Sequence, residues 1–190
     1  MTKVIILSIQ SQHAVNILKG FKTEELRKSV PKGFSGWAYI YVTLKRPVLI
    51  NKNYISEFYE VLDTAVKEYK KSAYQDEVLN GKVVARFWFD EYETIKERFN
   101  GDEYIIEKLD ELCLSDYEVK EYLGNKKGYA WHIKKLEIFD EPKELSEFYQ
   151  FKKKWVHSGM DCPPYVDEVK TILIKAPQSW QYVYVKGESK

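Results

Sequence analysis

Two hydrophobic periods run through this chain, one of two residues and one of three to four. The clearest two-residue pattern spans Gly36 to Leu44. Ala38, Ile40, Val42 and Leu44 fall on one face, and Trp37, Tyr39, Tyr41 and Thr43 on the other. Lys82 to Asp90 alternates in the same way, with Val83, Ala85, Phe87 and Phe89 against Val84, Arg86, Trp88 and Asp90. Lys3 to Ile9 is a continuous apolar run, the mark of a strand covered on both faces. Gly128 to Asp140 and the closing Trp180 to Val185 also read as strands.

Helical spacing appears between these strands. Gln12 to Lys19 has a broad apolar stripe, with Ser11 placed as a cap and Gly20 as a stop. A long helix is expected from Tyr54 to about Leu79, where Ile55, Phe58, Tyr59, Leu62, Val66 and Tyr69 recur at three and four. Further helices are expected over Glu103 to Glu111, Ser115 to Leu123 and, as a short one, Glu144 to Phe151. Ser115 and Glu118 have capping-box spacing. Ser29 to Gly36 and Val156 to Glu168 carry the glycines and prolines of loops. Strands with interleaved helices give an α+β class, and 190 residues give a single domain, 1–190, with a helical insertion at about 52–80.

Composition narrows the function classes. Basic and acidic residues number 30 and 29, so binding of duplex nucleic acid through a strong overall positive field is not expected. Any nucleic-acid contact has to be local. Fifteen tyrosines and five tryptophans suit a core, or a cleft with a wet edge. Cys113 and Cys162 form neither a disulfide framework nor a zinc pattern, and no cofactor or metal motif is present, so none is expected. The start Met-Thr-Lys-Val runs straight into a strand, and no apolar stretch has transmembrane length. The expectation is a cytoplasmic protein with no membrane partner. His13 is expected to be exposed and without a role. His132 is expected to be a hydrogen-bonded strand residue.

The most concentrated chemistry is Gly20-Phe21-Lys22-Thr23-Glu24-Glu25-Leu26-Arg27. In a strand, Glu25 and Arg27 share a face about 6.5–7 Å apart, within joint reach of one small ligand. Lys22 falls on the opposite face by parity unless it belongs to the turn after Gly20. A plain solvated ion pair satisfies the same spacing.

The run reads G-x-K-x-x-E-x-R, and in this it resembles the signature of the ASCH family, within the PUA-like superfamily, of bacterial or phage type. Gly81 to Phe87, the strand before Pro142, and the Pro177-Gln178-Ser179-Trp180 close resemble other parts of that family. The likeness runs from about Val4 to about Val185. It implies a small PUA-like β-barrel with peripheral helices, the long helix being an insertion. It also implies a cleft, lined by Lys22, Glu25 and Arg27, for single-stranded RNA or a nucleotide-like small molecule. From strand parity and motif position, Tyr41, Trp131 and Trp180 are candidates to stack on a base. Some ASCH proteins hydrolyse acylated cytidine with a lysine, a threonine and a glutamate. Lys22 matches the lysine, Glu25 stands where the threonine belongs, and Glu111 is only a loose match to the glutamate. A hydrolase reading therefore rests on Lys22 and on Glu25 as a base for water. A third reading is a protein-interaction domain in which Glu25 and Arg27 are an internal salt bridge.

Overall fold

The computed structural model describes residues 1–44, 48–49, 59–60, 79–99, 104–106, 108–156 and 165–187. The chain begins with β1 (Thr2–Ile9), α1 (Ser11–Leu18), β2 (Glu24–Arg27) and β3 (Gly36–Val42). Two short strands follow, β4 (Val48–Leu49) and β5 (Tyr59–Glu60). Next come β6 (Val83–Phe89), β7 (Tyr92–Thr94), β8 (Glu97–Phe99) and β9 (Tyr104–Ile106). Helices α2 (Leu109–Leu112) and α3 (Asp116–Leu123) lead to β10 (Tyr129–His132) and β11 (Lys134–Lys143). A 3₁₀ turn at Leu145–Glu147 precedes β12 (Tyr149–Val156), β13 (Tyr165–Ile172) and β14 (Trp180–Val185).

Seven strands form the main sheet in the order β11-β6-β3-β1-β14-β12-β13. Among the described residues only β1 and β3 run parallel, and α1 lies in the connection between them. A second sheet, β2-β10-β7, packs beside it. The architecture is sheet-dominated α+β with few helices. The ladders of the described strands leave the main sheet open, with β11 and β13 at its edges, and do not close the expected barrel.

Both faces of β1 are covered, which is why its sequence is an unbroken apolar run. Ile5, Leu7 and Ile9 join Ala38, Ile40, Phe87, Phe89 and Trp131 in the largest core cluster. Val4 and Ile6 join Tyr39, Tyr41 and Phe148 on the opposite face. A third cluster lies under the small sheet, where Leu26 and Ala130 meet Leu112 and Val119 of the two following helices.

Several expectations need correction. Ser11 does not cap α1. Gln10 holds the N-cap position, while the Ser11 hydroxyl is buried between the Thr43 carbonyl and the Asn80 amide. Val83 and Ala85 do not share a face. A register shift between Ile40 and Tyr41 turns Val83 into the second cluster and Val84 into the first. An extra residue in a ladder inverts the parity beyond it. Tyr104–Ile106 is a strand paired with Glu97–Phe99, so the helix expected over Glu103 to Glu111 is reduced to Leu109–Leu112. The helix expected from Glu144 shrinks to one 3₁₀ turn, and residues 165–168 of the loop expected over Val156 to Glu168 belong to the strand Tyr165–Ile172. Within the expected insertion helix, Tyr59–Glu60 is a strand paired with Val48–Leu49. The rest of that helix up to residue 78 lies outside the described residues.

Candidate functional site

Lys22 is placed by the end of α1. Gly20 adopts φ +77, a left-handed conformation that suits glycine and stops the helix. The chain then turns back, with the amides of Phe21 and Lys22 both donating to the Asn16 carbonyl. Lys22 therefore belongs to this turn, two residues before β2, and escapes the strand's parity. Its ammonium is buried, donates to the Leu112 carbonyl, and lies 3.6 Å from Glu25 Oε2.

β2 sets the other two charged groups. Its four residues pair antiparallel with β10, Glu25 opposite Trp131 and Arg27 opposite Tyr129. Glu25 and Arg27 project from one face, and Arg27 Nη2 lies 3.0 Å from Glu25 Oε1. The guanidinium also ties the small sheet to the main one. Nη2 donates to the Ser8 carbonyl at 2.9 Å, and Nη1 to Ser179 Oγ at 3.3 Å. Lys22, Glu25 and Arg27 are 2, 6 and 5 % exposed, so charges that normally sit in water are held in the interior by one another. Among the described residues, Glu25 Oε2 and Arg27 Nε have no hydrogen-bond partner.

These three side chains form the floor of a cavity of about 630 Å³. One wall is the start of α1, with Gln10, Gln12 and His13. Another is α3, whose Glu118, Glu121 and Tyr122 recur at three and four and so share a helix face. Ser8 and Gln178 close a third side. The capping box expected at Ser115 and Glu118 is present in both directions. Those hydrogen bonds from the Ser115 backbone and side chain hold the Glu118 carboxyl below its usual range.

His13 and Tyr122 are site residues that the sequence reading passed over. His13 is half-buried, not exposed. Burial lowers its pKa below the ordinary histidine value; the Glu25 charge opposes that shift and the Lys22 charge adds to it. Tyr122 hydrogen-bonds Arg27, and burial raises its hydroxyl pKa, with the guanidinium working against the rise. The Lys28 ammonium lies over its ring, 4.7 Å from the centroid. The signal for Tyr122 was its i+4 spacing from Glu118; His13 had none beyond its position one turn into α1.

The three stacking candidates lie elsewhere. Tyr41 belongs to the core cluster on the far face of the main sheet. Trp131 is fully buried, its ring 4.6 Å from Phe89 and 5.7 Å from Trp180. Trp180 packs on Tyr182 and donates its indole N–H to Ser29 Oγ. None of the three lines the cavity. Arg86, set among apolar neighbours, is paired with Glu137 at 2.7 Å and lies over the Trp37 ring. The Glu111 side chain is exposed, and its carbonyl accepts from the Thr23 amide. His132 sits 3.3 Å from Glu93 and 3.5 Å from Glu24. No group of three or more His, Cys, Asp and Glu suited to a metal occurs among the described residues. No described helix is long and apolar enough to cross a membrane.

No protein-family model matches the chain, and no curated protein matches it in sequence. Among solved structures, it is similar to the ASCH protein of Zymomonas mobilis, with 16% identity over 94% of this chain and 86% of that one, and a TM-score of 0.45. A serine-to-alanine mutant of that protein gives 14% identity, 94% and 87% coverage, and a TM-score of 0.46. A tyrosine-to-phenylalanine mutant gives 17%, 76% and 77%, and 0.45. The likeness is to ASCH structures and concerns the run of the chain; it carries no residue role or activity across.

Proposed function

We propose that the cavity binds a nucleobase, presented by single-stranded RNA or by a nucleotide-like small molecule. The observation that supports this is the convergence of Lys22, Glu25 and Arg27 on the floor of one hollow. Its volume, about 630 Å³, lies within the usual span of small-ligand sites. A base edge offers N–H donors and carbonyl or ring-nitrogen acceptors together. A carboxylate accepts from the first kind, while lysine and arginine donate to the second. Tyr122 takes the place of the expected aromatics as the ring against which a base would lie. Glu118 and Glu121 on the wall disfavour phosphate inside the hollow, so a strand would leave its backbone outside and insert only a base.

The test is titration of a fluorescent single-stranded RNA oligonucleotide, and separately of free nucleosides, at low salt. Binding that weakens with Glu25→Gln, with folding checked by circular dichroism, supports the reading. No binding of either probe at high protein concentration rejects it.

A second reading, hydrolysis of the bound ligand, is favoured by one observation. His13 shares the cavity with Glu25, and its lowered pKa keeps the imidazole neutral near pH 7, as a general base must be. Incubation with acylated cytidine and with RNA tests it. No deacylation and no cleavage would leave binding alone.

A further inference from the structure

We infer that β13 pairs with β13 of a second copy of this chain, joining the two main sheets edge to edge. β13 ends the sheet, and among the described residues only β12 pairs with it. The hydrogen bond from the Leu173 amide to the Phe148 carbonyl, at 2.8 Å, sets the parity of the strand. Amides at Thr171, Val169 and Asp167 turn toward β12, and those at Val166, Glu168, Lys170 and Ile172 turn outward. The Glu168 amide is held by the carboxylate of its own neighbour, Asp167, at 2.8 Å, as expected of a donor with no strand beside it among the described residues.

Exposed edge strands are usually short, bulged or charged along their length, because a bare edge invites another strand. This edge is eight residues long and carries exposed apolar side chains, Val166 at 42 %, Val169 at 37 % and Ile172 at 47 %. On the adjoining strand Phe151 and Trp155 are exposed as well, at 42 and 65 %. Through the ladder, Trp155 stands opposite Val166.

The order of residues selects a partner. In an antiparallel pair, outward amides must meet outward amides, so the allowed registers differ by two residues. With the two-fold axis at Val169, Glu168 faces Lys170 of the second copy, and Val166 faces its Ile172. Both contacts occur twice, and opposite charges and apolar pairs across a ladder are favourable. Moving the axis to Glu168 sets that carboxylate against itself and Val166 against Lys170. Moving it to Lys170 sets two ammonium groups face to face. The sequence Val166-Asp167-Glu168-Val169-Lys170-Thr171-Ile172 is thus self-complementary in one register and repulsive in its neighbours.

Sedimentation of the full chain over a range of concentrations tests this. The wild type is expected to dimerise reversibly. Glu168→Lys or Lys170→Glu alone places like charges opposite each other twice and is expected to raise the dissociation constant about tenfold. The double exchange restores the pairing and the dimer. In a background of Cys113→Ser and Cys162→Ser, Val169→Cys is expected to form a disulfide-linked dimer on oxidation. The two Cα atoms in this non-hydrogen-bonded pair stand about 4.5 Å apart, within disulfide reach. A monomer at the highest soluble concentration overturns the inference, as do single reversals without effect or a double exchange without rescue. A ribbon that binds RNA oligonucleotides while the chain stays monomeric overturns it too. None of these outcomes bears on the cavity, whose occupancy is measured separately.

Discussion

Glu24 and Glu25 are consecutive in β2 and buried on opposite sides of it, each with its own cations. Glu25 takes Arg27 at 3.0 Å and Lys22 at 3.6 Å. Glu24 takes Lys108 at 2.7 Å, with His132 at 3.5 Å. One side holds the cavity floor, and the other holds the strand against the start of α2 and against β7, since Lys108 also reaches Glu93 at 3.1 Å. A glutamine at 25 leaves the buried Lys22 and Arg27 without a counter-charge, which costs about 3–5 kcal/mol, whereas after the same change at 24 the partly exposed Lys108 keeps Glu93 and the loss is smaller. The two changes should separate in binding. Glu24→Gln is expected to lower stability and leave RNA affinity unchanged in the folded fraction, while Glu25→Gln lowers both. Urea denaturation and fluorescence titration of the two variants make the comparison. Equal losses of affinity would mean that the cavity floor has no special part in binding.

His13 gives the protein a pH dependence of known sign. Its folded pKa lies below the ordinary value because burial disfavours the imidazolium, although Glu25 opposes the shift. The unfolded chain therefore takes up the proton first as pH falls. Stability is full above the unfolded value, near 6.5, and declines as pH drops from there toward the folded pKa. Lys22, Arg27 and Glu118 also act on this group, and none reverses the net direction. Thermal melts of the wild type and His13→Gln at pH 7.5 and 5.5 should show a smaller acid-induced drop in the variant. An identical drop in both would place the acid sensitivity elsewhere.

Much of the strand plan was legible because burial dictated it. β3 separates Ala38, Ile40 and Val42 from Tyr39 and Tyr41 as its alternation required, and β1 reads as apolar because both its faces are covered. The inversion at Val83 was not legible, since a ladder irregularity depends on the partner strand and leaves no mark in the local pattern. Tyr104–Ile106 shows the same limit, a short apolar run that pairing made into a strand. In the site, the shared face of Glu25 and Arg27 followed from the period of a strand. The place of Lys22 depended on the turn at Gly20, and that of Tyr122 on helix α3 packing against β2, a tertiary contact between positions far apart in sequence.

The cavity wall should be sensitive to a residue that does not line it. Ser115 accepts from the Glu118 amide, and the Glu118 carboxylate accepts from the Ser115 amide and hydroxyl. This pair starts the helix that presents Glu118, Glu121 and Tyr122. Ser115→Ala is expected to cost about 1 kcal/mol of stability. If binding uses this wall, affinity falls as well, with no change to any group facing the ligand. Differential scanning calorimetry and RNA titration of the variant check the two effects. An unchanged melting temperature would show that the cap contributes nothing.

Aromatic variants distinguish binding at the cavity from binding at Trp180 on β14. Trp131 is fully buried against Phe89 and Trp180, so Trp131→Ala removes a large core side chain and is expected to cost about 3–5 kcal/mol. Trp180 is only partly buried, and Trp180→Phe keeps most of its packing while losing the hydrogen bond to Ser29. A base lodged over Lys22, Glu25 and Arg27 does not touch this ring, so RNA affinity is expected to be unchanged in Trp180→Phe. Tyr122→Ala, which removes the half-exposed ring beside Arg27, is expected to weaken affinity by about 1–3 kcal/mol, the usual worth of one stacked base. Fluorescence titration of the two variants decides between the surfaces. A large loss in Trp180→Phe with none in Tyr122→Ala would move the binding surface onto β14 and away from the cavity.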